Sequence, residues 1–582
     1  MKKPLMTLAL AAAVCLGLPA AQAQEHMPGK VEIAFNRYYT YAQLVEHMQA
    51  IAAAYPEIVT LEQIGFSGLG RPMFVATVTS PTTGPDTEKP GMWIDGNVHG
   101  NEVQAAEAVL YSLWYLTKAY GQNEDLTELV DNYSFYFLVS QNPDGREYWL
   151  AEGNTPHSSR SNQRPVDSDR DGLVDEDPPD DLDGDGSITQ MWKQDPDGRW
   201  ERDEDDPRVF RRVEAGKTGG WIRLGQEGID NDGDGRTNED GPGGDDMNRN
   251  WPTDWKPSYV QYGAGEFPLS NPETKAIAEF ILAHPNIMSG QSYHNTGGML
   301  LRGPGANYME SVYPREDVRV YDEIGRVGED ILPYYDYMVI YKDLYTVHGG
   351  FVNWLAEGLG AYSFTNELWA PDKYFQRDIT RPDDERMWLF RDRVQFGQTF
   401  KEYVEYEHPE HGTVLLGGLN KWASRTTPTF MLEEECHRNF AFTMFHADQM
   451  AVLEWGPIEI ERLGENGLWQ VTVEVKNPKL MPTRSGVQAR KQIGRNDLLI
   501  CEPEAGRVVL SGSIRERRDT AIDEIRFEPG RVQLSRGVPG KGRVLHRFFI
   551  EGPEGTLVRL QYSAERAKDL TTEFRLEVKG RE

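Results

Sequence analysis

From Val31 to about Phe137 the sequence alternates helix-like runs with strand-like runs. TYAQLVEHMQAIAAAYP and EVQAAEAVLYSLWYLTKAY have apolar residues at helical spacing, whereas MFVATVTS, MWIDGNV and SFYFLVS are short apolar runs bounded by turn residues. The alternation resumes with SNPETKAIAEFILAHPN, IMSGQSYHN and AYSFTNELW. Because strands that alternate with helices build a sheet covered by those helices, the sequence predicts an α/β fold with a central, largely covered sheet.

The chain of 582 residues is long enough for several domains. Beyond residue 455 short alternating runs are separated by Gly, Pro, Asn and Asp, as in GPIEIERLGENGLWQVTVEVKNP. We therefore predict a catalytic domain over residues 24–455, with an acidic insertion at 167–246, and a β-sandwich-like C-terminal domain over 456–582.

The first 23 residues, MKKPLMTLALAAAVCLGLPAAQA, combine two lysines, an apolar stretch and a small-residue ending. This pattern predicts a cleaved signal peptide and a secreted or periplasmic protein. No later run of about 18 apolar residues follows, so we expect no membrane span after signal removal. The formal net charge of −31 argues against nucleic acid as a partner. The oligomeric state is not indicated.

The acidic insertion repeats one spacing three times, in DSDRDG, DLDGDG and DNDGDG, and holds 26 acidic against 10 basic residues, a net charge of −16. Alternate carboxylates followed by glycine can wrap a hard cation. The predicted structural calcium ligands are Asp167, Asp169, Asp171, Asp181, Asp183, Asp185, Asp230, Asp232 and Asp234. The match to a full helix-loop-helix hand is poor, because Pro178 and Trp192 stand where the first two loops need a glutamate. A solvated acidic run is the alternative.

Candidate metal ligands lie in GNVHGNEVQAAE and at the end of IMSGQSYHN. His99 and Glu102 would share one face if a helix began there, although such a pair is also common at an ordinary helix start. A catalytic zinc normally has three protein ligands, and His294 at the end of a strand is a candidate for the third. Glu367 ends an apolar strand, where a carboxylate is costly unless it has a task or a partner.

The segments HGNE, SYH, NRN and FTNEL occur in this order, and residues 30–455 closely resemble the zinc carboxypeptidases of the carboxypeptidase A type. The resemblance implies a central mixed twisted sheet flanked by helices. It also implies the zinc ligands His99, Glu102 and His294. Glu367 would activate the attacking water and pass its proton to the leaving amine, and Asn248 with Arg249 would bind the substrate's terminal carboxylate.

The resemblance assigns further roles. Tyr345 would close over the substrate, Asp246 would orient a zinc-bound histidine, and Val352 would form the floor of the pocket for the terminal side chain. The arginine that polarises the scissile carbonyl falls near the start of the acidic insertion, where Arg164 is the first candidate and Arg160 the second.

These expectations define a secreted zinc metallocarboxypeptidase that acts on peptide or protein C-termini, with one catalytic Zn²⁺ and several structural Ca²⁺ ions. One alternative is a murein stem-peptide peptidase or amidohydrolase of the same superfamily. Another is an inactive calcium-dependent binding protein on a peptidase scaffold; retention of Glu367 with the ligands and the carboxylate-binding pair argues against it.

Overall fold

The computed structural model describes residues 27–167, 170–370 and 385–577. The predicted signal peptide, residues 1–23, and the predicted calcium ligand Asp169 lie outside these ranges. No helix within the ranges is both long and apolar enough to cross a membrane.

The helices and strands are numbered in chain order. The helices are α1 Tyr41–Ala54, α2 Gln104–Ala119, α3 Glu124–Asn132, α4 Pro143–Ala151, α5 Pro272–Ala283, α6 Arg315–Ile331, α7 Phe351–Asn353, α8 Glu385–Arg393, α9 Leu432–Asp448 and α10 Gly486–Lys491. The first twelve strands are β1 Val59–Phe66, β2 Pro72–Val78, β3 Gly91–Gly96, β4 Ser134–Leu138, β5 Gln190–Gln194, β6 Trp200–Arg202, β7 Phe210–Arg212, β8 Trp221–Gln226, β9 Ile287–Asn295, β10 Met299–Arg302, β11 Asp336–Val339 and β12 Tyr362–Leu368. The others are β13 Phe400–His408, β14 Gly412–Leu419, β15 Glu454–Trp455, β16 Glu459–Leu463, β17 Leu468–Asn477, β18 Asp497–Pro503, β19 Arg507–Ile514, β20 Asp523–Ile525, β21 Arg531–Leu534, β22 Gly542–Glu551, β23 Leu557–Ser563 and β24 Leu570–Arg575.

In the described residues the central sheet has eight strands in the order β1-β2-β4-β3-β9-β12-β10-β11. Its middle strands β4, β3, β9 and β12 are parallel neighbours, while β1 and β2 form an antiparallel edge. Strands β3, β4 and β9 are buried along their whole length, as expected where helices cover both faces. The predicted mixed α/β fold is confirmed.

Local sequence explains where individual elements begin. Thr40 caps α1 through a reciprocal capping box with Gln43, and β9 coincides with the predicted strand IMSGQSYHN. The predicted helix EVQAAEAVLYSLWYLTKAY is α2, but it begins at Gln104, so His99 and Glu102 do not share a helix face. The side chain of Asn97 and the backbone N–H of Glu102 both donate to the His99 carbonyl and hold a turn ahead of the helix.

The acidic insertion contains a sheet that the sequence analysis did not anticipate. Strands β5 to β8 of the insertion join the hairpin β13–β14 in the order β13-β14-β5-β8-β6-β7. A small core of Met191, Val414 and Leu416 lies beneath it. The insertion is therefore anchored to a segment more than 220 residues further along the chain, since Leu415 pairs with Trp192.

The C-terminal region forms two antiparallel sheets, one containing β15, β16, β17, β22, β19 and β20 and the other ordered β21-β18-β23-β24. Their inner faces belong to one continuous core, to which Val473 and Phe548 contribute from the first sheet and Leu499 and Leu560 from the second. Two sheets that face a shared core are a sandwich arrangement, which agrees with the predicted fold class.

Candidate active site and metal centre

The turn between β3 and α2 brings His99 and Glu102 together at the carboxyl end of the central parallel strands. A Cβ atom at Gly100 would lie 2.5 Å from both the Gly145 carbonyl carbon and the Ser159 carbonyl oxygen, so this position accepts only glycine without a backbone shift. Close packing therefore fixes the turn.

Three buried side chains converge on one point. Nδ1 of His99 lies 2.8 Å from Oε1 of Glu102, and Nδ1 of His294 lies 2.9 Å from Oε2 of the same carboxylate. Burial alone would raise the pKa of Glu102, but His99 and His294 hold it well below its usual range. The side chains have 1–3% of their surface exposed, so they form an enclosed polar cluster.

The geometry of this cluster fits a zinc ion. Ligand atoms around a tetrahedral zinc lie roughly 3.3 Å apart, and one nitrogen or oxygen from each side chain falls in a group with no separation above 4.8 Å. Nε2 of His294 is buried without a hydrogen-bond partner in the described part of the chain. A two-histidine, one-glutamate set is also a known catalytic zinc ligand set.

Asp246 supports the cluster from outside. Its Oδ1 lies 3.1 Å from Nε2 of His99, which leaves Nδ1 of that ring facing Glu102. Burial raises the pKa of Asp246, but Arg160, Arg249 and His99 outweigh it and hold the pKa well below the usual range. A charged carboxylate on the outer nitrogen of a metal ligand fixes the orientation of the imidazole.

Glu367 lies beside the cluster because of strand register. It is the direct partner of His294 across the parallel strands β12 and β9, so both side chains stand on the same face. Burial and then the neighbouring charge of Glu102 raise the pKa of Glu367 to about 7. A carboxylate near this pKa can exchange a proton at neutral pH.

Asn248 and Arg249 occupy a short 3₁₀ turn, Met247–Arg249, that follows Asp246. Oδ1 of Asn248 accepts a hydrogen bond of 2.9 Å from the backbone N–H of Phe351, which fixes the amide at the start of α7. Arg249 is 7% exposed and lines the same cavity as the histidine cluster. The amide and the guanidinium together suit a carboxylate ligand.

One cavity of about 250 Å³ joins these groups, and we call it the active-site cavity. Val352 is buried in its wall, together with apolar residues such as Leu301 and Ile340. Tyr345 follows a π-helical turn, Ile340–Leu344, and is 51% exposed at the cavity. The structure thus brings together the predicted zinc ligands, Glu367, Asn248, Arg249, Tyr345 and Val352.

Arg164 is not among the residues that line the active-site cavity. Its guanidinium lies 2.9 Å from Oε1 of Glu266, and its side chain is 45% exposed. The second candidate, Arg160, does line the cavity, where its Nε donates to Asp246 at 3.1 Å. The backbone explains why Arg160 reaches the cavity. Its carbonyl accepts a hydrogen bond from the backbone N–H of Gly100, which lies in the turn that carries His99 and Glu102.

Arg425 lines the active-site cavity and was missed by sequence reasoning. Its Nη2 donates to the Asn295 carbonyl at 2.6 Å and lies 3.1 Å from Oε1 of Glu102. It comes from the segment after β14, 130 residues beyond Asn295. No spacing or local pattern in KWASRTTP marks this position, so only the tertiary fold reveals it.

The acidic loops have the geometry of compact turns. Carboxylate oxygens of Asp167, Asp181 and Asp230 accept the backbone N–H of the glycine five positions later, at 3.1, 2.7 and 2.9 Å. Two candidate metal-binding groups are Asp181, Asp183, Asp185 and Asp230, Asp232, Asp234. A third combines Asp171 and Glu176 with Asp232, so the first and third loops meet.

The first and third loops also pair through the antiparallel bridge Asp177–Asp240. Each has a glutamate just before its bridging residue, Glu176 and Glu239, which the sequence analysis did not select. Burial and neighbouring carboxylates raise the pKa of both glutamates to about 7. Both loops share the sequence pattern D-x-D-x-D-G-x-x-[D/N]-E-D, and this repeat is the sequence feature from which the two glutamates could have been selected.

Comparisons with known proteins agree with this geometry. The sequence profile of the zinc carboxypeptidase family matches residues 44–204 and 220–389. Residues 452–575 match a family described as a domain of unknown function, DUF8731.

Curated relatives include carboxypeptidase A1 of Rattus norvegicus, 24% identical over 57% of this chain and 63% of that protein. They also include carboxypeptidase D of Drosophila melanogaster, 30% identical over 25% of this chain and 11% of that one. The chain thus spans less than two thirds of the length of these relatives. The solved carboxypeptidase A of Helicoverpa armigera superimposes with a TM-score of 0.44 and 16% identity, covering 73% of this chain and 77% of that chain.

The profile match spans more than half of the sequence and contains His99, Glu102, His294, Asn248, Arg249 and Glu367. The chain belongs to the zinc carboxypeptidase family.

Proposed function

We propose that this protein is a zinc-dependent carboxypeptidase that hydrolyses the C-terminal peptide bond of peptides or proteins. The observation that supports the proposal most strongly is the pairing of Glu367 with His294 across β12 and β9, because a carboxylate that can accept a proton then lies beside a candidate three-residue metal group. Family membership supports the same conclusion.

In this proposal His99, Glu102 and His294 hold the zinc ion. Bound there, zinc supplies positive charge that polarises the scissile carbonyl and acidifies the attacking water. Glu367 takes a proton from that water as its oxygen bonds to the carbonyl carbon, and returns the proton to the amine when the C–N bond breaks. Arg160 and Arg425, rather than Arg164, donate to the developing oxyanion.

The carboxylate-binding pair restricts the reaction to chain ends. Arg249 and Asn248 face the active-site cavity, and a C-terminal residue is the part of a peptide that carries a free main-chain carboxylate. The buried apolar side chain of Val352 favours an uncharged terminal side chain over Lys or Arg. Tyr345 is exposed at the cavity and would close over the bound residue.

We also propose that the acidic loops bind structural Ca²⁺. The crowding of Asp171, Glu176 and Asp232 into one group is unfavourable without a cation. Oxygen-only ligand sets in flexible loops suit Ca²⁺ better than Zn²⁺. Glu176 would then supply to the first loop the acidic ligand that Pro178 cannot provide, and Glu239 would supply an acidic ligand to the third loop.

The division into a signal peptide, a catalytic domain of residues 24–455 and a C-terminal domain of residues 456–582 belongs to the same proposal. A secreted or periplasmic location is supported by the lysines and apolar run of residues 1–23. Calcium loops suit such compartments, where the ion is more abundant than in a cytoplasm.

The purified protein should cleave N-blocked dipeptides with a free C-terminal carboxylate and should not cleave the same dipeptides with a C-terminal amide. A zinc chelator should abolish the cleavage, and added zinc should restore it. Equal cleavage of acid and amide substrates would contradict the exopeptidase assignment. Activity confined to murein stem peptides would instead favour the amidohydrolase alternative.

A further inference from the structure

A second cavity, of about 880 Å³, lies against the sheet formed by the insertion and the hairpin β13–β14. Aromatic rings, among them Trp192, Trp200 and Phe210, line it together with arginines, among them Arg212 and Arg223. We call it the arginine groove. No Asp or Glu lines it within the described ranges, although the insertion carries a net charge of −16. The groove is therefore a locally basic surface on an acidic protein.

Strand register builds the groove from pairs of side chains. Trp192 is directly opposite Arg223 across β5 and β8, and Trp200 is directly opposite Arg212 across β6 and β7. Residues opposite each other in antiparallel strands point to the same face of the sheet. Trp200 is half-buried, whereas Trp192 is buried and stacks on Phe210 with ring centroids 3.8 Å apart, so Trp200 is the more accessible ring beside these positive charges.

The arginines of the groove differ in whether their charge is already neutralised by a carboxylate of the protein. Arg208, which also lines the groove, is paired with the carboxylates of Asp206 and Asp392 at 2.7 and 2.6 Å. Arg212 and Arg223 are exposed, and neither forms an ion pair in the part of the chain that the structure describes. Two guanidinium groups with no carboxylate partner are suited to binding carboxylates of a ligand.

The arginine groove adjoins the active-site cavity. His157 and Ser424 line the groove, whereas Arg425 lines the active-site cavity. Nδ1 of His157 and Nη1 of Arg425 lie 3.1 Å apart, so one pair of side chains separates the two cavities. A peptide that passes over this pair can occupy both.

We propose that the arginine groove binds the residues of a peptide substrate that precede the scissile bond, and that it selects acidic segments. This inference rests on the proposed carboxypeptidase function. With the terminal carboxylate on Arg249 and Asn248, the preceding residues leave the active-site cavity past Arg425 and His157. Carboxylates in that segment meet Arg212 and Arg223, and apolar parts of the peptide pack on Trp200.

The test compares blocked peptides of about six residues, which extend over roughly 20 Å. All end in the same two residues, and the preceding residues are either glutamates or lysines. At physiological salt, where charges are screened beyond about 8 Å, the wild-type protein should show at least about tenfold higher kcat/KM for the acidic peptide. The double variant Arg212→Glu/Arg223→Glu should reduce this ratio to about one or below.

The matched control is Arg199→Glu/Lys217→Glu, which makes the same charge change at exposed positions of the insertion outside the groove. This control should keep the wild-type ratio. A blocked dipeptide, too short to reach the groove, reports whether the catalytic site of each variant is intact.

Three outcomes would overturn the inference. The wild-type protein could cleave the dipeptide but show no preference for the acidic peptide. The control variant could lose the preference as fully as the groove variant does, or the groove could bind an acidic polysaccharide but not the acidic peptide. If no substrate is cleaved, anisotropy of a labelled acidic peptide gives a separate result. Binding that Arg212→Glu/Arg223→Glu abolishes would support the groove while the carboxypeptidase function fails, and absence of binding would overturn the groove as well.

Discussion

Two sets of carboxylates in this protein have opposite surroundings. Glu102 is fixed in a buried turn at the carboxyl end of the central parallel strands, where nitrogens of His99 and His294 lie within 3 Å of its oxygens. The carboxylates of the acidic loops are partly exposed, and their partners are mainly backbone N–H groups of their own loops. The fold therefore assembles the candidate zinc site in advance, whereas we propose that a cation neutralises the carboxylates of the acidic loops.

The first way to test this comparison is to remove one zinc ligand. His294→Ala should release the zinc and lower kcat/KM by at least about a thousandfold, because three ligands are needed to hold the ion and polarise the carbonyl. We also expect Ca²⁺ to raise the melting temperature of the wild-type protein, and this rise should remain in His294→Ala. His284→Asn, which changes a histidine outside the active-site cavity, should retain zinc. Loss of zinc together with loss of the calcium response would mean that the two regions are not independent. Metal analysis and thermal unfolding measure both.

Removal of a calcium loop should have the converse effect. Calcium at about a hundredfold above its Kd should raise the melting temperature of the wild-type protein by at least about 5 °C. Asp230→Asn/Asp234→Asn should lose much of this shift, since both residues belong to one candidate group. Asp197→Asn, at an exposed position outside the three loops, should respond like the wild-type protein. The same response in the loop variant would exclude the third loop as a calcium site.

Substitutions of the arginines near the active site should have a smaller effect, which is confined to kcat. Arg425→Lys and Arg160→Lys should each lower kcat about ten- to a thousandfold, because a lysine cannot reproduce the guanidinium contacts near the oxyanion. Arg164→Lys should change kcat less than twofold, since Arg164 pairs with exposed Glu266. A larger loss for Arg164→Lys than for the other two would restore it as the carbonyl-polarising residue. Steady-state kinetics with zinc content checked for each variant decide the ranking.

The smallest expected effect concerns a buried carboxylate that binds no metal. Glu273 in the first turn of α5 is 1% exposed, and burial raises its pKa to about 7. The folded state therefore binds its proton more tightly than the unfolded state, in which the pKa is about 4.3. Stability from this group is greatest below the unfolded pKa and falls as pH rises from about 4 to about 7.

Glu273→Gln should therefore reduce the loss of unfolding free energy between pH 5 and pH 8 by on the order of 2 kcal/mol. Glu279→Gln on the same helix, where the side chain is 69% exposed, should leave the pH dependence unchanged. Denaturant unfolding at the two pH values measures the difference. If the unfolding free energy of Glu273→Gln and that of the wild-type protein changed equally between the two pH values, Glu273 would not be protonated in the folded state.

The same contrast explains what the sequence could predict. β9 and β12 were predicted because apolar runs mark buried strands, and His294 and Glu367 follow from where those strands end. The turn at His99 could not be predicted, because the hydrogen bond from Asn97 that holds the turn ahead of α2 leaves no periodic signal in the sequence. Arg425 and the insertion's sheet depend on contacts between distant segments, which no local pattern encodes.

The central claim is that Glu367 transfers protons beside a zinc ion held by His99, Glu102 and His294. The most direct test is Glu367→Gln, measured for zinc content and for cleavage of a blocked dipeptide. The variant should retain one zinc per chain while kcat falls at least about a hundredfold. The control Glu273→Gln changes a buried glutamate outside the active-site cavity and should keep both zinc and activity. Wild-type activity in Glu367→Gln would contradict the account.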